Sequence, residues 1–407
     1  MSDEHRDGID LPDSALRGVR VLDLGQIYNG SYCGLLLAHL GADVIKVEPP
    51  TGESTRWRSA NGASKPFLML NSNKRGLALD LKQPAGRDIL LRLAAHSDVL
   101  IENFAVGTMD RLGVGYDAIA KINSRLVYAS GKGYSATGSK RDRPAMDLTV
   151  QADTGVLSST GFPDGPPVKA GVAVADFMGG VHLAAAILAA LYQRDRTGRG
   201  QFVEVGMQDA VVPTLASNLA GLLDGGGNVP ERTGNRHGSL SMCPYNVYRV
   251  VDGWVAIFCM RDTHWAALCA VMGRPELATD DRYASQYARA QRMDDVDDLV
   301  GEWAARRRRD DCVAELAARG VPTAAVRHLA EVATDPDLFD RGILHRVTYP
   351  GVGETVVFGN PLTLSDSPTV MRRLAPRIGE HTTQVLTEVL DLPPDEIDKL
   401  RSSGAVV

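Results

Sequence analysis

One stretch near the start of the chain limits the fold more than any other. Residues 19–48 read VRVLDLGQIYNGSYCGLLLAHLGADVIKVE, which is an apolar run, a glycine-containing turn, an apolar helix ending near Gly41, and a second apolar run. This order predicts a β–α–β unit, and runs without polar alternation predict parallel strands that are buried on both faces. We therefore expect a doubly wound α/β sheet in the first part of the chain.

Later segments extend this pattern. RGLALDL, DVLIENF, RLVYASGKGY and QFVEVGM predict further strands, and a helix is expected over about residues 177–193. YNVYRVVDGWVAIFC predicts an antiparallel hairpin around an Asp-Gly turn. We expect a Rossmann-like large domain over residues 1–205, a linker over 206–235, a smaller α+β domain over 236–330, and a return segment over 331–407 that completes the large domain.

Composition excludes several classes of partner. The net charge of −6 provides no basic field for nucleic acid or anionic membrane, and the arginine run at 305–311 lacks interleaved aromatic residues. The acidic N-terminus does not resemble a signal peptide, and the stretch VHLAAAILAAL is shorter than the roughly 18 residues of a spanning helix. Five cysteines without CxxC spacing favour reduced thiols. We expect a cytoplasmic protein with no metal, membrane or nucleic-acid partner.

The sequence of the turn after the first strand indicates whether the chain could bind a dinucleotide. Glu48 ends the second strand, where a ribose-binding carboxylate would lie. The turn GQIYNG is not GxGxxG, and Ile27 and Tyr28 occupy positions where a pyrophosphate would need close backbone approach. The sequence therefore argues against NAD or FAD.

A single carboxylate stands out in KAGVAVADFMGG, residues 169–180. Asp176 precedes a long apolar helix, and aspartate is a preferred N-cap residue. Gly179 and Gly180 then follow, although each costs about 1 kcal/mol relative to alanine inside a helix. Glycine at these positions admits another backbone or a ligand. We expect a carboxylate at a helix N-terminus to stay ionised near neutral pH, which suits a nucleophile whose oxyanion is stabilised by nearby N–H groups.

These residues carry a resemblance to a known family. STGFPDGPPVKAGVAVADFMGG, with NSNKRGLALDLK, DVLIENFAVGTMDRLG, SGKGY and IGEHTTQVL elsewhere, resembles the class III CoA-transferases, the family of formyl-CoA:oxalate CoA-transferase. The resemblance implies that Asp176 is the nucleophile. It implies transfer of coenzyme A from an acyl-CoA to a free carboxylic acid, through an aspartyl anhydride and an aspartyl-CoA thioester, without a metal or NAD. It also implies an interlocked homodimer, which long linkers near 205–235 and 325–350 would permit.

The resemblance assigns roles to further residues. Gln26 lies in the active-site turn and is grouped with Gly179 and Gly180 around the nucleophile, and Tyr28 replaces the family's usual glutamine. The residues implied to contact coenzyme A are Tyr28, Arg56, Lys74, Arg75, Asn103, Phe104, Arg111, Lys132 and Tyr134. The family's tetraglycine loop has no counterpart in RTGNRHGSLSMCPYNVY, where the candidate substrate contacts are Asn235, Arg236 and His237.

Two alternatives stay open. The α-methylacyl-CoA racemases are similar to this chain and pair the equivalent aspartate with a histidine about thirty residues earlier. The matching residue here is Met146, whose thioether cannot take a proton, and His182 is expected to be a packed core histidine. A non-catalytic CoA-binding module is the second alternative, and the grouping of Asp176 with Gly179 and Gly180 argues against it.

Overall fold

The computed structural model of the chain describes residues 14–60, 63–225 and 230–407. Most of the acidic N-terminal segment and the glycine-rich residues 226–229 lie outside the described residues. The chain divides into two compact units. One contains the residues through Val150 together with Ala173–Val211 and Ala333–Val407, and the other contains Gln151–Val172 and Val212–Val332.

The strands of the described residues, in chain order, are β1 Arg20–Asp23, β2 Asp43–Glu48, β3 Lys74–Ala78, β4 Val99–Glu102, β5 Val127–Lys132, β6 Phe202–Gly206, β7 Tyr245–Val250, β8 Gly253–Phe258, β9 Thr323–Ala325, β10 Leu344–Tyr349 and β11 Gly353–Phe358. The first six form one sheet in the order β3-β2-β1-β4-β5-β6, and every neighbouring pair is parallel. The prediction of an α/β protein with a parallel sheet is confirmed. The chain reverses its winding direction between β1 and β4, where such sheets leave a crevice.

The helices, in chain order, are α1 Asn29–His39, α2 Lys65–Leu70, α3 Pro84–Ala95, α4 Thr108–Arg111, α5 Tyr116–Ile122, α6 Asp147–Asp153, α7 Val156–Ser159, α8 Val174–Thr197, α9 Met207–Val211, α10 Ala216–Asp224, α11 Asp262–Val271, α12 Gln286–Ala290, α13 Met293–Ala304, α14 Arg309–Ala317, α15 Leu329–Ala333, α16 Pro336–Asp340, α17 Thr382–Leu390 and α18 Pro394–Ser402. Short 3-10 turns lie at Arg56–Arg58, Val212–Leu215 and Pro275–Ala278. Helices α9 and α10 occupy much of the range whose composition predicts a linker, because glycine and proline concentrate only after Asp224.

Both faces of the parallel sheet are covered. Val21 packs with α1 and α8 on one face, and Leu22, the next residue of β1, packs with α3 and α17 on the other. This alternation follows from the two-residue period of a strand. It explains why the strands read as continuous apolar runs in the sequence, since neither face meets water.

The second unit contains its own sheet. Strands β7 and β8 pair antiparallel, with Val250 opposite Gly253, and β9 pairs antiparallel with β8. The predicted hairpin around Asp252 and Gly253 is confirmed. Strands β10 and β11 form a separate antiparallel pair within the first unit.

Helix α8 is longer than its central apolar stretch suggests. Its 24 residues make it, within the described ranges, the one helix long and apolar enough to cross a membrane by length and composition. The same composition suits a core helix, and Leu183 and Ile187 of α8 are buried against the sheet. The start of α8 meets the start of α1, and this junction positions the candidate site.

Candidate active site

Asp147 caps helix α8. The first backbone N–H groups of any helix have no acceptor within the helix. Here Asp147 Oδ1 accepts hydrogen bonds from Ala175 N at 2.8 Å and from Asp176 N at 3.4 Å. Ala173 stands at the N-cap position and Asp176 is the third helical residue. The interpretation of Asp176 as the cap is therefore wrong, because Asp147 supplies the capping oxygen.

Helix α1 occupies the space that the two glycines leave open. A Cβ on Gly179 would overlap with Asn29 Nδ2, and a Cβ on Gly180 would lie 2.7 Å from the Asn29 carbonyl oxygen. The backbone of Asn29, at the start of α1, is close enough to the Asp176 carboxylate to lower its pKa. The glycines thus admit a second helix, which is the close approach of another backbone that glycine at these positions allows, and their grouping with Gln26 around the nucleophile stays a prediction.

The Asp176 carboxylate is buried without a matching cation. Its residue is 9% exposed, and no salt bridge to it is found among the described residues. Burial raises the pKa of Asp176 from its ordinary 3.8 to about 7, and the neighbouring Asp147 carboxylate adds to the rise. The hydrogen bond from Asn29 and the charge of Arg58 act in the opposite direction on this pKa. The expectation of a fully ionised carboxylate at neutral pH is wrong, because desolvation outweighs the favourable helix terminus.

Aromatic rings and one arginine surround the start of α8. The Tyr28 ring stacks on Phe177 with 6.0 Å between ring centroids and 29° between the ring planes, and the Tyr32 ring centroid lies 4.8 Å from that of Phe177. Arg58 donates a hydrogen bond from Nη1 to the Tyr28 hydroxyl at 2.7 Å. Sequence reasoning missed Asp147, Asn29 and Arg58. Asp147 is the first residue of α6, so its local sequence marks only the start of that helix and gives no signal of the contact with α8, 28 positions away.

The predicted active-site turn is clamped to the neighbouring strand. Gln26 N donates to Asn103 Oδ1 at 2.8 Å, and Asn103 Nδ2 donates to Gln26 O at 2.8 Å. This pair of bonds joins the segments that follow β1 and β4 across the crevice. Asn103 therefore holds the turn that leads into Tyr28 and Asn29.

Three predicted coenzyme A contacts are instead committed to ion pairs. The Arg56 guanidinium makes two bonds to Glu48, at 2.7 Å and 2.6 Å, and lies over the Phe67 ring. Lys74 Nζ bonds to Asp23 Oδ2 at 2.7 Å, with both side chains 0% exposed. Arg75 pairs with carboxylates of Asp43 and Glu388. Lys74 and Arg75 begin β3, so they lie at the opposite end of this strand from its carboxyl end. Arg56 and Lys74 hold the fold together and present no free charge to a phosphate.

Four other predicted contacts come together. A cavity of about 350 Å³ lies at the ends of β4 and β5 and is lined by Asn103, Phe104, Lys132, Tyr134, Arg141 and Arg143, among others. Lys132 Nζ bonds to the Glu102 carboxylate at 2.8 Å and to Phe104 O at 2.7 Å, so its charge is already compensated. Arg141 and Arg143, which the sequence reasoning missed, are exposed cations of this cavity. Arg111 is exposed and donates to Thr108 Oγ1.

The three candidate substrate contacts lie in the second unit. Arg236 is bound by the carboxylates of Asp294 and Asp297, so it is not a free cation. His237 Nδ1 lies 2.9 Å from Ser239 Oγ. Asn235 lines a separate cavity of about 490 Å³ beside β7, β8 and β9. These contacts do not assign a ligand to the three residues.

The residues weighed for racemisation are both exposed. His182 is exposed on α8, where its Nδ1 lies 2.8 Å from Met178 O, so the prediction of a packed core histidine is wrong. Met146 is 58% exposed and immediately precedes the capping Asp147. Within the part of the chain that the structure describes, no group of three metal-ligating side chains is found.

Comparison with known proteins gives consistent matches. A family model described as CoA-transferase family III matches residues 16–382. The chain is 35% identical over 398 residues to the succinyl-CoA–L-malate CoA-transferase beta subunit of Chloroflexus aurantiacus, covering 96% of this chain and 98% of that relative. It is 38% identical over 412 residues to the formyl-CoA:oxalate CoA-transferase of Streptomyces avermitilis, covering 96% of this chain and 99% of the relative.

Solved structures show the same fold. The crystal structure of a CAIB/BAIF family protein from Brucella suis matches with a TM-score of 0.80 and 34% sequence identity. The match covers 93% of this chain and 100% of that structure.

Proposed function

The chain belongs to CoA-transferase family III, as its sequence predicted, and on this premise we propose that Asp176 is the group that carries the acyl and coenzyme A moieties in turn. One observation supports this assignment above all others. Asp176 is a buried carboxylate with no ion-pair partner among the described residues, held where the N-termini of α1 and α8 meet. Family membership implies coenzyme A as a substrate.

The first half of the cycle loads coenzyme A onto Asp176. A carboxylate oxygen of Asp176 attacks the donor thioester carbonyl, the C–S bond breaks, and the thiolate leaves with the bonding electrons. The product is a mixed anhydride. The thiolate then attacks Asp176 Cγ, the C–O bond to the donor acyl group breaks, and the donor leaves as a free carboxylate. Asp176 now holds coenzyme A as a thioester.

The second half reverses these bonds with another acid. The acceptor carboxylate attacks Asp176 Cγ and expels the thiolate, which gives a second mixed anhydride. The thiolate attacks the acceptor carbonyl and the Asp176 carboxylate leaves. Each step exchanges one nucleophile for another, so the balance needs no oxidant, nicotinamide, metal ion or net proton. The backbone of Asn29 lowers the pKa of Asp176, and we propose that its N–H stabilises negative charge there during attack.

The raised pKa of Asp176 supports this chemistry. With a pKa of about 7, about half of the molecules carry the nucleophilic anion at neutral pH. A poorly solvated carboxylate is a stronger base and nucleophile than one in water. Acylation converts the buried anion into a neutral anhydride or thioester and removes the cost of holding that charge away from water.

The cavity at the ends of β4 and β5 suits the nucleotide part of coenzyme A. Arg141 and Arg143 supply exposed positive charge for phosphates, and Phe104 offers an aromatic face for adenine. Arg111, the last residue of α4, is a further exposed cation. We keep Asn103, Phe104, Arg111, Lys132 and Tyr134 as proposed contacts, and replace Arg56, Lys74 and Arg75 by Arg141 and Arg143.

The identity of the substrate acids is proposed by analogy with the relatives. The two curated relatives above are named for oxalate and L-malate, and both acids carry two carboxylates. We therefore propose a short dicarboxylate as the acceptor.

Racemisation is the second candidate function, because Asp147 places another carboxylate beside Asp176. It predicts deuterium incorporation at the α-carbon of a 2-methylacyl-CoA in heavy water, whereas CoA transfer predicts none. A non-catalytic CoA-binding role predicts binding of coenzyme A without turnover of any acid.

We also propose the interlocked homodimer and the cytoplasmic location. Val181 and Tyr192 on α8 are exposed, and Tyr192 is 68% exposed, which supports a partner against this helix. The five cysteines are buried and free, which fits a reducing compartment. Light scattering on the purified protein measures the first proposal, and a monomeric mass would contradict it.

Intact-mass spectrometry tests the function directly. The wild-type protein is incubated with succinyl-CoA and L-malate, and new thioesters and covalent adducts are measured. Asp176→Asn is expected to lower exchange by roughly 10⁴-fold and to abolish the adduct, because an amide cannot replace the nucleophile. Asp195→Asn, on the exposed far end of the same helix, is the matched control and retains both. An adduct that persists in Asp176→Asn would refute the assignment.

A further inference from the structure

Arg58 carries a positive charge that the fold does not neutralise. It ends the 3-10 turn Arg56–Arg58, and its side chain is exposed. Its Nη1 donates to the Tyr28 hydroxyl at 2.7 Å, and its Cζ lies 5.3 Å from the centre of the Tyr28 ring. No carboxylate of the described residues pairs with Arg58. The guanidinium is therefore held in place by a neutral group and keeps most of its capacity to donate hydrogen bonds.

Arg56, two residues earlier, shows the opposite arrangement. It is buried and makes two bonds to Glu48. The same short turn therefore contains one arginine whose charge is cancelled inside the fold and one whose charge is presented outside it. Only the second can recognise an anion that arrives from solution.

Contacts lead from Arg58 to the nucleophile through a single residue. The Tyr28 ring stacks on Phe177, the residue after Asp176, and Tyr28 immediately precedes Asn29, whose backbone acts on the pKa of Asp176. Arg58 is also close enough for its charge to lower the pKa of Asp176. The surrounding negative charge comes from Asp147 and Asp176 itself. An acid with two carboxylates needs a compensating cation to approach this pair of aspartates.

We propose that Arg58 binds the non-reacting carboxylate of the substrate acid and so makes the site selective for dicarboxylates. The proposal deepens the proposed function and rests on it. In this arrangement one carboxylate of the acid reacts at Asp176, while the other accepts hydrogen bonds from the guanidinium. A planar guanidinium matches a carboxylate with two parallel bonds, which an ammonium group does not reproduce. The Tyr28 hydroxyl orients the guanidinium for this task.

Self-exchange of isotopically labelled acids tests the proposal with one acid at a time. Labelled succinate is exchanged into succinyl-CoA, and labelled butyrate into butyryl-CoA, which has the same chain length without the second carboxylate. Assays at about pH 8.5 keep most Asp176 ionised, so that a change of its pKa affects both acids little. In Arg58→Gln the ratio of kcat/KM for succinate to kcat/KM for butyrate is expected to fall at least about tenfold. Arg58→Lys is expected to restore part of the ratio.

Arg196→Gln is the matched control. Arg196 also lies over a tyrosine ring, with its Cζ 4.6 Å from the centre of Tyr192, but it is near the other end of α8, about 30 Å along the helix from Asp176. This variant is expected to keep the wild-type ratio. Circular dichroism and melting temperature show whether each variant is folded.

The outcomes separate the two proposals. A wild-type ratio near one, or an unchanged ratio in Arg58→Gln, would overturn the role of Arg58 while leaving CoA transfer intact. If butyrate exchange is too slow to detect in the wild type, loss of succinate exchange in Arg58→Gln but not in Arg196→Gln supports the role, and equal rates overturn it. If wild-type protein exchanges neither acid, nor any acid of a wider panel, the proposed function itself fails.

Discussion

Buried carboxylates have opposite surroundings beside strands β1 and β2 and at the start of helix α8. Next to β1 and β2, Asp23 is paired with Lys74 and Glu48 with Arg56, and all four side chains are almost completely buried. At the start of α8, Asp176 is buried beside another carboxylate and meets only a backbone N–H and a more distant arginine charge.

The difference separates structural charge from reactive charge. A buried ion pair compensates its desolvation cost within the fold, so neither partner is available for chemistry. An unpaired buried carboxylate has an uncompensated desolvation cost, which raises its pKa. Acylation of the oxygen removes the charge and with it this cost. Asp23 and Glu48 are each paired with a cation whereas Asp176 is not, and the proposed function assigns the reaction to the unpaired Asp176 carboxylate.

Breaking a structural pair should have the largest effect on stability. Lys74→Met leaves Asp23 buried without its cation, and we expect the free energy of unfolding to fall by about 3–5 kcal/mol. Chemical denaturation measures this change. Lys399→Met removes an exposed partner of Asp395 and should change stability by less than about 1 kcal/mol. Similar losses in the two variants would contradict the structural role of Lys74.

Removing the unpaired charge of Asp176 should raise the free energy of unfolding instead of lowering it. The folded state binds a proton at Asp176 up to about pH 7, whereas an unfolded aspartate releases it near 3.8, so wild-type stability falls as the pH rises between these values. Asp176→Asn does not titrate. We expect it to be more stable than the wild type by about 2–4 kcal/mol at pH 8 and to lose this advantage near pH 4. Denaturation curves at both pH values measure it, and a pH-independent difference would argue against the raised pKa.

The contact between α1 and α8 can be tested at a glycine. In Gly180→Ala the new Cβ would press on the Asn29 carbonyl oxygen, so we expect a loss of about 1–3 kcal/mol in stability, and slower exchange because the Asn29 N–H shifts away from Asp176. Gly301→Ala, in α13, meets only an ordinary contact at 3.9 Å and should gain up to about 1 kcal/mol. Thermal melts and exchange rates are the measurements, and a stabilised, fully active Gly180→Ala would show that the space is open.

The smallest expected effect concerns the neighbouring carboxylate. Asp147→Asn keeps an oxygen that can cap α8 but removes the negative charge beside Asp176, so the pKa of Asp176 should fall. The rate of acyl-CoA attack, which follows the anion, should then rise at pH 6 by about threefold relative to its own plateau. The pH profile of kcat/KM measures this shift. Asp147→Ala, which also removes the cap, should lose stability by about 1 kcal/mol. If the pH profile of kcat/KM does not shift in Asp147→Asn, Asp147 is not a cause of the raised pKa of Asp176.

Local sequence patterns were enough to predict several elements of the fold. The apolar runs of β1 and β2 predict buried parallel strands, the Asp252-Gly253 turn predicts a hairpin, and Asp176 followed by two glycines marks an unusual helix start. These features depend on residues within a few positions of one another. The periodicity of side chains and the conformational preferences of glycine act at that range.

Which charged side chains are paired and which are not became visible only in the folded chain. Lys74 is cancelled by Asp23, 51 positions away, and α8 is capped by Asp147 from another helix. Arg56 and Arg58 look alike in sequence, yet one is buried on Glu48 and the other is exposed on Tyr28. The physical reason is that desolvation and Coulomb energy depend on distances in space, which a sequence does not contain until the chain has folded.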